Sequence, residues 1–423
     1  MITLRLFSAF LLSLLTAYQS TSNSASQIAI THVSILDVRD GSTKADMTVF
    51  IFGNQINAIG PSKETPLPNQ VHEIDGRGMF LIPGLWDMHV HSDGDARALR
   101  LLLASGVTGI RDMAGDVAKL SEMRGRIISG DLPGPHIWFA GPRLNGPPAE
   151  ADTDVWVIHS PDEARRAVNS LADWHVDFIK VHDGLSRDSF LAIVAAAKAR
   201  GLSFAGHVPS SMTPIEVSDM GQKSIEHLEF VPKSCHALFE SVIGGAPRNL
   251  PSGCDPQSLD ELLHRFAHNG TWLDPTIQSF RYWAPTQWSA ISSGFRELVP
   301  SIRRNHVSIL CGTDWSNSLE ERGALPGASL HEELETLVEA GFTPLEALQA
   351  ATLNPAIYFG LSDSFGTVET GRIADLVLLE GNPLVDMRNT KRIVAVFSEG
   401  KVLDRRTLNG MLATTTVPAK SIH

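Results

Sequence analysis

Side chains that can bind a divalent metal ion lie at the ends of apolar runs in this sequence. The first two are His89 and His91, which close the segment LIPGLWDMHVH over residues 81–91. Residues two apart in an extended chain point to the same side, so the two imidazoles face together and can bind one ion such as Zn²⁺. Two hydrogen-bonded histidines would give the same short pattern, so the interpretation depends on the rest of the chain.

The same chemistry recurs at the ends of later apolar runs. His207 ends FAGH, His227 ends SIEH and Asp314 ends CGTD. In a barrel of parallel strands the carboxyl ends meet at one face, where active sites are assembled. We therefore predict that these side chains join the two earlier histidines in one metal site.

Lys180, in DFIKVHDG, is a sixth candidate ligand. A charged ammonium repels cations, so this lysine binds metal only if CO₂ carboxylates it to an anionic group whose two oxygens bridge two ions. The alternative is a lysine that binds a substrate carboxylate. His182 shares the same face of the strand. We expect it to contact substrate, because the other ligands already fill two metal sites.

These side chains together are suited to two-metal hydrolysis. Two ions about 3.5–4 Å apart would lower the pKa of a shared water, so a metal-bridging hydroxide is the expected nucleophile. Asp314 is the expected general base and acid, and His227 is expected to bind metal and steady the charge that develops on the carbonyl oxygen. Arg111 and Arg143 lie at or just past strand ends. Each can bind a substrate carboxylate or form a structural ion pair.

The elements that must position these residues alternate along the middle of the chain. Eight strand-like runs end within residues 88–91, 107–111, 137–140, 178–182, 204–207, 224–227, 271–275 and 307–314. Apolar residues at helical spacing fill the intervening segments 162–175, 190–200, 258–268 and 330–340. Helix starts with reciprocal capping are predicted at Thr213 and Thr343. This alternation predicts an α/β fold, a (β/α)8 TIM barrel over residues 81–363.

The two ends of the chain have a different pattern. Short strand-like runs separated by Gly, Asn and Pro turns fill residues 26–80, and a similar pattern returns at 364–410. We predict that both segments form one small β-sandwich-like domain. Residues 1–25 contain an apolar run too short to span a membrane, which predicts a cleaved signal peptide; the alternative is a buried helix. We therefore expect a secreted or periplasmic protein that does not contact a membrane after cleavage.

Cysteine usage and charge narrow the possibilities further. Export permits a disulfide, and Cys235 and Cys254 bracket a stretch rich in Gly, Pro and Ser. We predict this pairing as readily as two free thiols, with Cys311 buried as a thiol in a strand pattern. The net charge of -12, without a basic stripe, argues against nucleic acid as a partner. A small-molecule amide or peptide substrate is expected, and a homo-oligomer is compatible with the sequence.

The order of the candidate ligands resembles the binuclear form of the amidohydrolase superfamily. The resemblance rests on the LIPGLWDMHVH opening, the lysine of strand four, the later histidines, GTD, and the stretch FGLSDSFGTVETGRIADLVLL, and it covers nearly all of the mature chain. The chain looks closest to the branch of Xaa-Pro dipeptidases, arginine-type carboxypeptidases and imidazolonepropionase-like proteins. In that branch, members with IKV at strand four use a carboxylated lysine. The resemblance implies two divalent ions, expected to be Zn²⁺, and cleavage of a dipeptide, a C-terminal peptide bond or an N-acyl amino acid.

Other functions stay open at this point. The same two-metal centre can hydrolyse an ester, a lactone or a phosphotriester. A mononuclear deaminase would leave Lys180 without a metal role. Counting the bound metal ions therefore distinguishes it from a two-metal hydrolase. A scaffold protein that has lost catalysis has no reason to keep all the ligand types.

Overall fold

The computed structural model describes residues 27–231 and 255–413 of the 423-residue chain. The predicted signal segment 1–25 and the predicted pair Cys235 and Cys254 lie outside the described residues. Cys311 is buried and is a free thiol, as predicted. Among the described residues, no helix combines the length and the apolar character needed to cross a membrane.

The described residues form strands and helices over most of their length. The strands are β1 (Gln27–Leu36), β2 (Thr43–Phe52), β3 (Gln55–Pro61), β4 (His72–Asp75), β5 (Phe80–Pro83), β6 (Leu85–Val90), β7 (Val107–Asp112), β8 (His136–Phe139), β9 (Arg143–Asn145), β10 (Val155–Val157), β11 (Phe178–Val181), β12 (Ser203–Gly206), β13 (Ser224–Glu226), β14 (Trp272–Asp274), β15 (Leu376–Leu379), β16 (Ile393–Ser398) and β17 (Lys401–Asp404). The helices are α1 (Ala96–Ala104), α2 (Val117–Ile128), α3 (Pro161–Asp173), α4 (Arg187–Arg200), α5 (Pro214–Asp219), α6 (Pro256–Asn269), α7 (Phe280–Trp283), α8 (Trp288–Arg304), α9 (Asn317–Glu320), α10 (Ala328–Ala340), α11 (Pro344–Ala350), α12 (Leu353–Phe359) and α13 (Arg405–Ala413).

Parallel segments close into a barrel in the middle of the chain. β6, β7 and β8 pair in parallel, and so do β11, β12, β13 and β14. The backbone N–H of Asp177, just before β11, donates to the carbonyl of Phe139 in β8 at 2.9 Å. Residues 307–315 close the other side through isolated parallel bridges to β14 and β6. The predicted α/β barrel is confirmed.

The eighth predicted strand is the exception to this regularity. Residues 307–314 follow the barrel wall but make only isolated bridges rather than a continuous ladder. The backbone of Asp314 has a φ of 56°, which is incompatible with an extended strand. The prediction of a regular strand there is wrong, because the chain turns to present this carboxylate.

The helices around the barrel begin and end where local chemistry predicts. The predicted helical segments correspond to α3, α4, α6 and α10. Thr213 and Thr343 both form complete capping boxes, each with the glutamate three residues later, which confirms the two predicted helix starts. Gly201 and Gly270 end α4 and α6 in the left-handed conformation.

The two ends of the chain share one mixed sheet. Its strand order is β17-β16-β15-β5-β1-β2-β3, and β4 pairs with β1. β5 lies between the two ends, since it pairs in parallel with β1 and antiparallel with β15. The sheet has its own apolar cluster, to which residues from both ends contribute. The amino- and carboxyl-terminal segments therefore form one small sheet beside the barrel.

Candidate metal centre

The HxH pair lies at the carboxyl end of β6, against the turn that carries Asp314. Oδ1 of Asp314 lies 3.4 Å from Nε2 of His89 and 3.4 Å from Nε2 of His91. The backbone N–H of Asp314 donates to the carbonyl of His89 at 2.8 Å, which holds the turn against β6. Two predicted ligands from β6 and one from the irregular eighth segment thus converge.

The predicted ligand histidines form a row of ring contacts across the barrel mouth. Ring centroids are 5.3 Å apart for His91 and His89, 4.8 Å for His89 and His227, and 4.9 Å for His227 and His207. His182 extends the row, with its ring stacked 3.8 Å from that of His207. The structure therefore brings histidines from β6 and from the ends of β11, β12 and β13 into one group.

Lys180 is 1% exposed, and its charge acts on three histidines of this row, His89, His207 and His227. Burial lowers the pKa of its ammonium to about 8, so the neutral amine that reacts with CO₂ is accessible near neutral pH. Its charge also contributes to lowering the pKa values of His89 and His227. Gly206, in β12, leaves room for the lysine, because a Cβ at this position would lie 2.9 Å from Cδ of Lys180.

Two of the predicted ligands have an unusual backbone. His227 and Asp314 have φ values of 58° and 56°, in the left-handed region that non-glycine residues rarely occupy. The N–H of His227 donates to the carbonyl of Asp274 at 2.8 Å, and its Nδ1 lies 2.7 Å from Oγ1 of Thr276. Strained backbone held by surrounding contacts is typical of functional sites.

The protonation states suit metal binding. Burial lowers the pKa of His89 well below its ordinary value and also lowers that of His227, so both imidazoles are neutral near pH 7. Burial raises the pKa of Asp314, but its interactions with His227 and His91 outweigh burial and lower the pKa below its ordinary range. Neutral imidazoles and an ionised carboxylate are the forms that bind cations.

The donor set fits a divalent metal ion. One donor atom each from His89, His227 and Asp314 lie within 4.8 Å of one another. Nε2 of His89 is buried and has no hydrogen-bond partner, although buried polar atoms are almost always paired. A cation at this place would satisfy the unpaired nitrogen.

Arg111 does not lie where a substrate carboxylate can reach it. It is 0% exposed, and it donates to Glu226 Oε2 at 2.7 Å and Asp274 Oδ2 at 3.1 Å. The other guanidinium N–H groups of Arg111 donate to the carbonyl of Met88 and to the hydroxyls of Ser224 and Tyr358. Two roles were considered for Arg111. The structure shows the structural ion pair, and the expected contact with a substrate carboxylate is wrong.

Arg143 and His182 have different surroundings. Arg143, at the start of β9, pairs with Asp154 at 3.0 Å, so it too is an ion-pair member. His182 lies 2.6 Å from Oδ1 of Asp183 and is 21% exposed. Asp183 lines a cavity of about 710 Å³ formed by the loops after β9, β11 and β12. His182 therefore contacts His207 of the ligand row and also Asp183, which lines a space large enough for a small molecule.

Other functional side chains escaped the sequence reasoning. Asp87, in the HxH segment, accepts from the N–H of Thr313 at 3.0 Å and from its hydroxyl at 2.8 Å, which anchors the GTD turn. Burial raises the pKa of Asp87 to about 7. Glu226 and Glu229 flank His227 and contact His89 and His207 respectively. In the sequence, these three carboxylates are marked only by their position in the same short segments as the ligands, LIPGLWDMHVH and SIEHLEF.

Comparisons with known proteins agree with this geometry. The amidohydrolase family model matches residues 80–403. Ochratoxinase of Aspergillus niger is 24% identical over 454 residues, which cover 90% of this chain and 88% of that protein. The crystal structure of a putative prolidase from Bifidobacterium longum has a TM-score of 0.73 and 25% identity, and covers 92% of this chain and 99% of its own. An adenine deaminase of Ruegeria sp. (strain TM1040) is 24% identical over 81% of this chain, which spans only 51% of that deaminase.

Proposed function

The chain belongs to the amidohydrolase family, and from this premise we propose that it is a binuclear metal-dependent hydrolase of amide bonds. The substrate class we propose is a dipeptide, a C-terminal peptide bond or an N-acyl amino acid. Ochratoxinase and a putative prolidase are among the similar proteins, and each aligns over most of its length. The chain is a hydrolase that acts on carbon–nitrogen bonds. What we propose beyond this is that the bond is the amide bond of one of these substrates.

The observation that carries this proposal is the unpaired Nε2 of His89 beside Asp314 and His227. His89, His91 and Asp314 would hold one ion, and His207 and His227 would hold the other. Lys180, once carboxylated, would bridge them. Zn²⁺ is the proposed metal because imidazole and carboxylate donors suit it. When bound, the ions would supply Lewis acidity for a carbonyl and for a water.

The chain's own residues would then move protons and orient the substrate. Asp314 is ionised near pH 7, so its carboxylate can accept a proton from the attacking water and pass it to the leaving nitrogen. Thr276 orients His227 toward the space where charge develops. The cavity lined by Asp183 offers room for the part of the substrate beyond the scissile bond.

An assay of the purified, Zn²⁺-loaded protein tests the proposal. The substrates are a dipeptide library, a set of N-acyl amino acids, and matched esters, lactones and phosphotriesters, with adenine included because deaminases are among the relatives. We expect amide hydrolysis that chelation abolishes and Zn²⁺ restores, with two ions bound per chain. Ammonia release from adenine with one ion bound would replace the proposal with a mononuclear deaminase.

We also propose that the protein is exported. The support is the segment 1–25, in which Arg5 precedes an apolar run over residues 6–15. Amino-terminal sequencing of the protein from an exporting host should give a chain that begins near residue 26. An intact amino terminus in the cytosolic fraction would contradict this.

A further inference from the structure

Glu226 is a buried carboxylate that touches a predicted metal ligand and a buried cation at once. It is 0% exposed, and its Oε2 accepts from His89 Nδ1 at 2.9 Å and from Arg111 Nη2 at 2.7 Å. Its Oε1 accepts from the hydroxyl of Ser224 at 2.5 Å. All these partners come from the protein interior, so water does not compete for the carboxylate.

The contact with Glu226 decides which nitrogen of His89 faces the site. Because Nδ1 donates its proton to the carboxylate, Nε2 carries the lone pair. That nitrogen has no hydrogen-bond partner and lies 3.4 Å from Oδ1 of Asp314. A carboxylate behind a metal-binding histidine fixes the ring and raises its basicity as a ligand.

A second group of donors lies on the inner side of the same histidine. Atoms of His89, Glu226 and Asp274 are also within 4.8 Å of one another. Arg111 Nη2, however, lies 2.7 Å from Glu226 and 3.1 Å from Asp274, so a guanidinium already occupies the place between these carboxylates. A divalent ion there would be repelled by a buried unit charge in a medium that screens poorly.

We propose that Glu226 is a positioning residue that aims Nε2 of His89 at the metal centre. Arg111 complements it by excluding a cation from the inner pair of carboxylates. This inference rests on the proposed function, because it assumes that metal binds between His89 and Asp314. Together the two residues place the ion on the open side of His89.

Titration of the metal-free full-length protein with Zn²⁺, followed by calorimetry, tests the inference through binding rather than activity. Glu226→Gln should weaken the site that contains His89 by about 10- to 100-fold. Asp274 would still pair with Arg111, so the fold should persist. Because a glutamine oxygen can still accept from His89, the tautomer is tested with Glu226→Leu, which removes both acceptor oxygens. Nitrogen NMR of this metal-free variant should show that His89 no longer keeps its proton on Nδ1.

Ser224→Ala is the matched control, because it removes a donor to the same carboxylate and one acceptor of Arg111 without touching the oxygen that holds His89. Its Zn²⁺ affinity should stay within about threefold of the unmodified protein, less than the 10- to 100-fold effect of losing a supporting carboxylate. If Glu226→Gln does not fold, Glu226→Asp keeps a buried charge beside Arg111 but draws it back from His89, and it should show the same weakened site. Unchanged Zn²⁺ affinity in a folded Glu226 variant would overturn this inference and leave the proposed function intact. Absence of Zn²⁺ binding by the unmodified protein would overturn the proposed function.

Discussion

The inner and outer halves of the metal centre are built differently. The inner half consists of His89, Lys180, Glu226 and Arg111, all of them at most 1% exposed. The outer half consists of His91, His207, His182, Asp183 and Glu229, whose side chains are 15% to 54% exposed. The side-chain hydrogen bonds among His89, Glu226 and Arg111 join fully buried groups, whereas the side chains of the outer half are partly exposed to solvent.

The difference in burial indicates which side chains of the metal centre have a fixed position and which can adapt. Charges interact strongly in the poorly screened interior, so the inner half has one arrangement that satisfies all partners. Outer pairs such as His182 with Asp183 are screened by solvent and hold their side chains weakly. We expect the inner residues to fix the geometry of metal binding, and the exposed pair His182 and Asp183 of the outer half to affect substrate binding.

The largest expected effect is at Asp314, which contacts a histidine of each half. Asp314→Asn should lower kcat by about 10²- to 10⁴-fold, because proton transfer is lost. Steady-state kinetics and metal analysis check this, with most metal expected to remain. An unchanged kcat would remove Asp314 from proton transfer.

The next effect concerns the buried lysine of the inner half. Lys180→Ala should lose most of its metal and activity, because the carboxylated side chain supplies the proposed bridge between the ions. Short carboxylic acids such as acetate or propionate should restore part of both by filling the space. Two tightly held ions and normal turnover in this variant would show that the lysine does not bridge.

A smaller effect is expected in the outer half. His182→Ala should raise KM while kcat changes little, because a contact with the substrate is lost but the metal site is intact. Loss of one hydrogen bond of about 1 kcal/mol corresponds to roughly a fivefold change. A loss of bound metal instead would place His182 among the ligands rather than among the substrate contacts.

The smallest effect on activity is expected from the cysteines. Burial raises the pKa of Cys311 well above its ordinary value, so this thiol should not react in the folded protein. Thiol counting after denaturation without reductant should find one free cysteine if Cys235 and Cys254 are bridged. Reduction should then lower the free energy of unfolding by about 3 kcal/mol, as expected for a loop of about 20 residues. Three free thiols would show that no bridge exists.

Much of the fold could be predicted because the relevant signals are local. Strand-like runs and capping residues such as Thr213 and Thr343 depend on neighbours within a few positions. The family resemblance is likewise confirmed by a match over residues 80–403. The eighth strand was predicted wrongly, because an apolar run does not reveal that Asp314 turns into the left-handed region.

The sequence by itself determined the kind of chemistry: HxH, the lysine of DFIKVHDG and GTD place metal-binding side chains at strand ends, where a barrel must bring them together. It did not determine the roles of the charged residues behind them. The sequence around Arg111 is the same whether the side chain binds a substrate or pairs with Glu226. Arg111 and Glu226 are 115 residues apart along the chain. Only the tertiary structure decided that pairing, since the energy of a buried charge depends on neighbours that the closed barrel alone supplies.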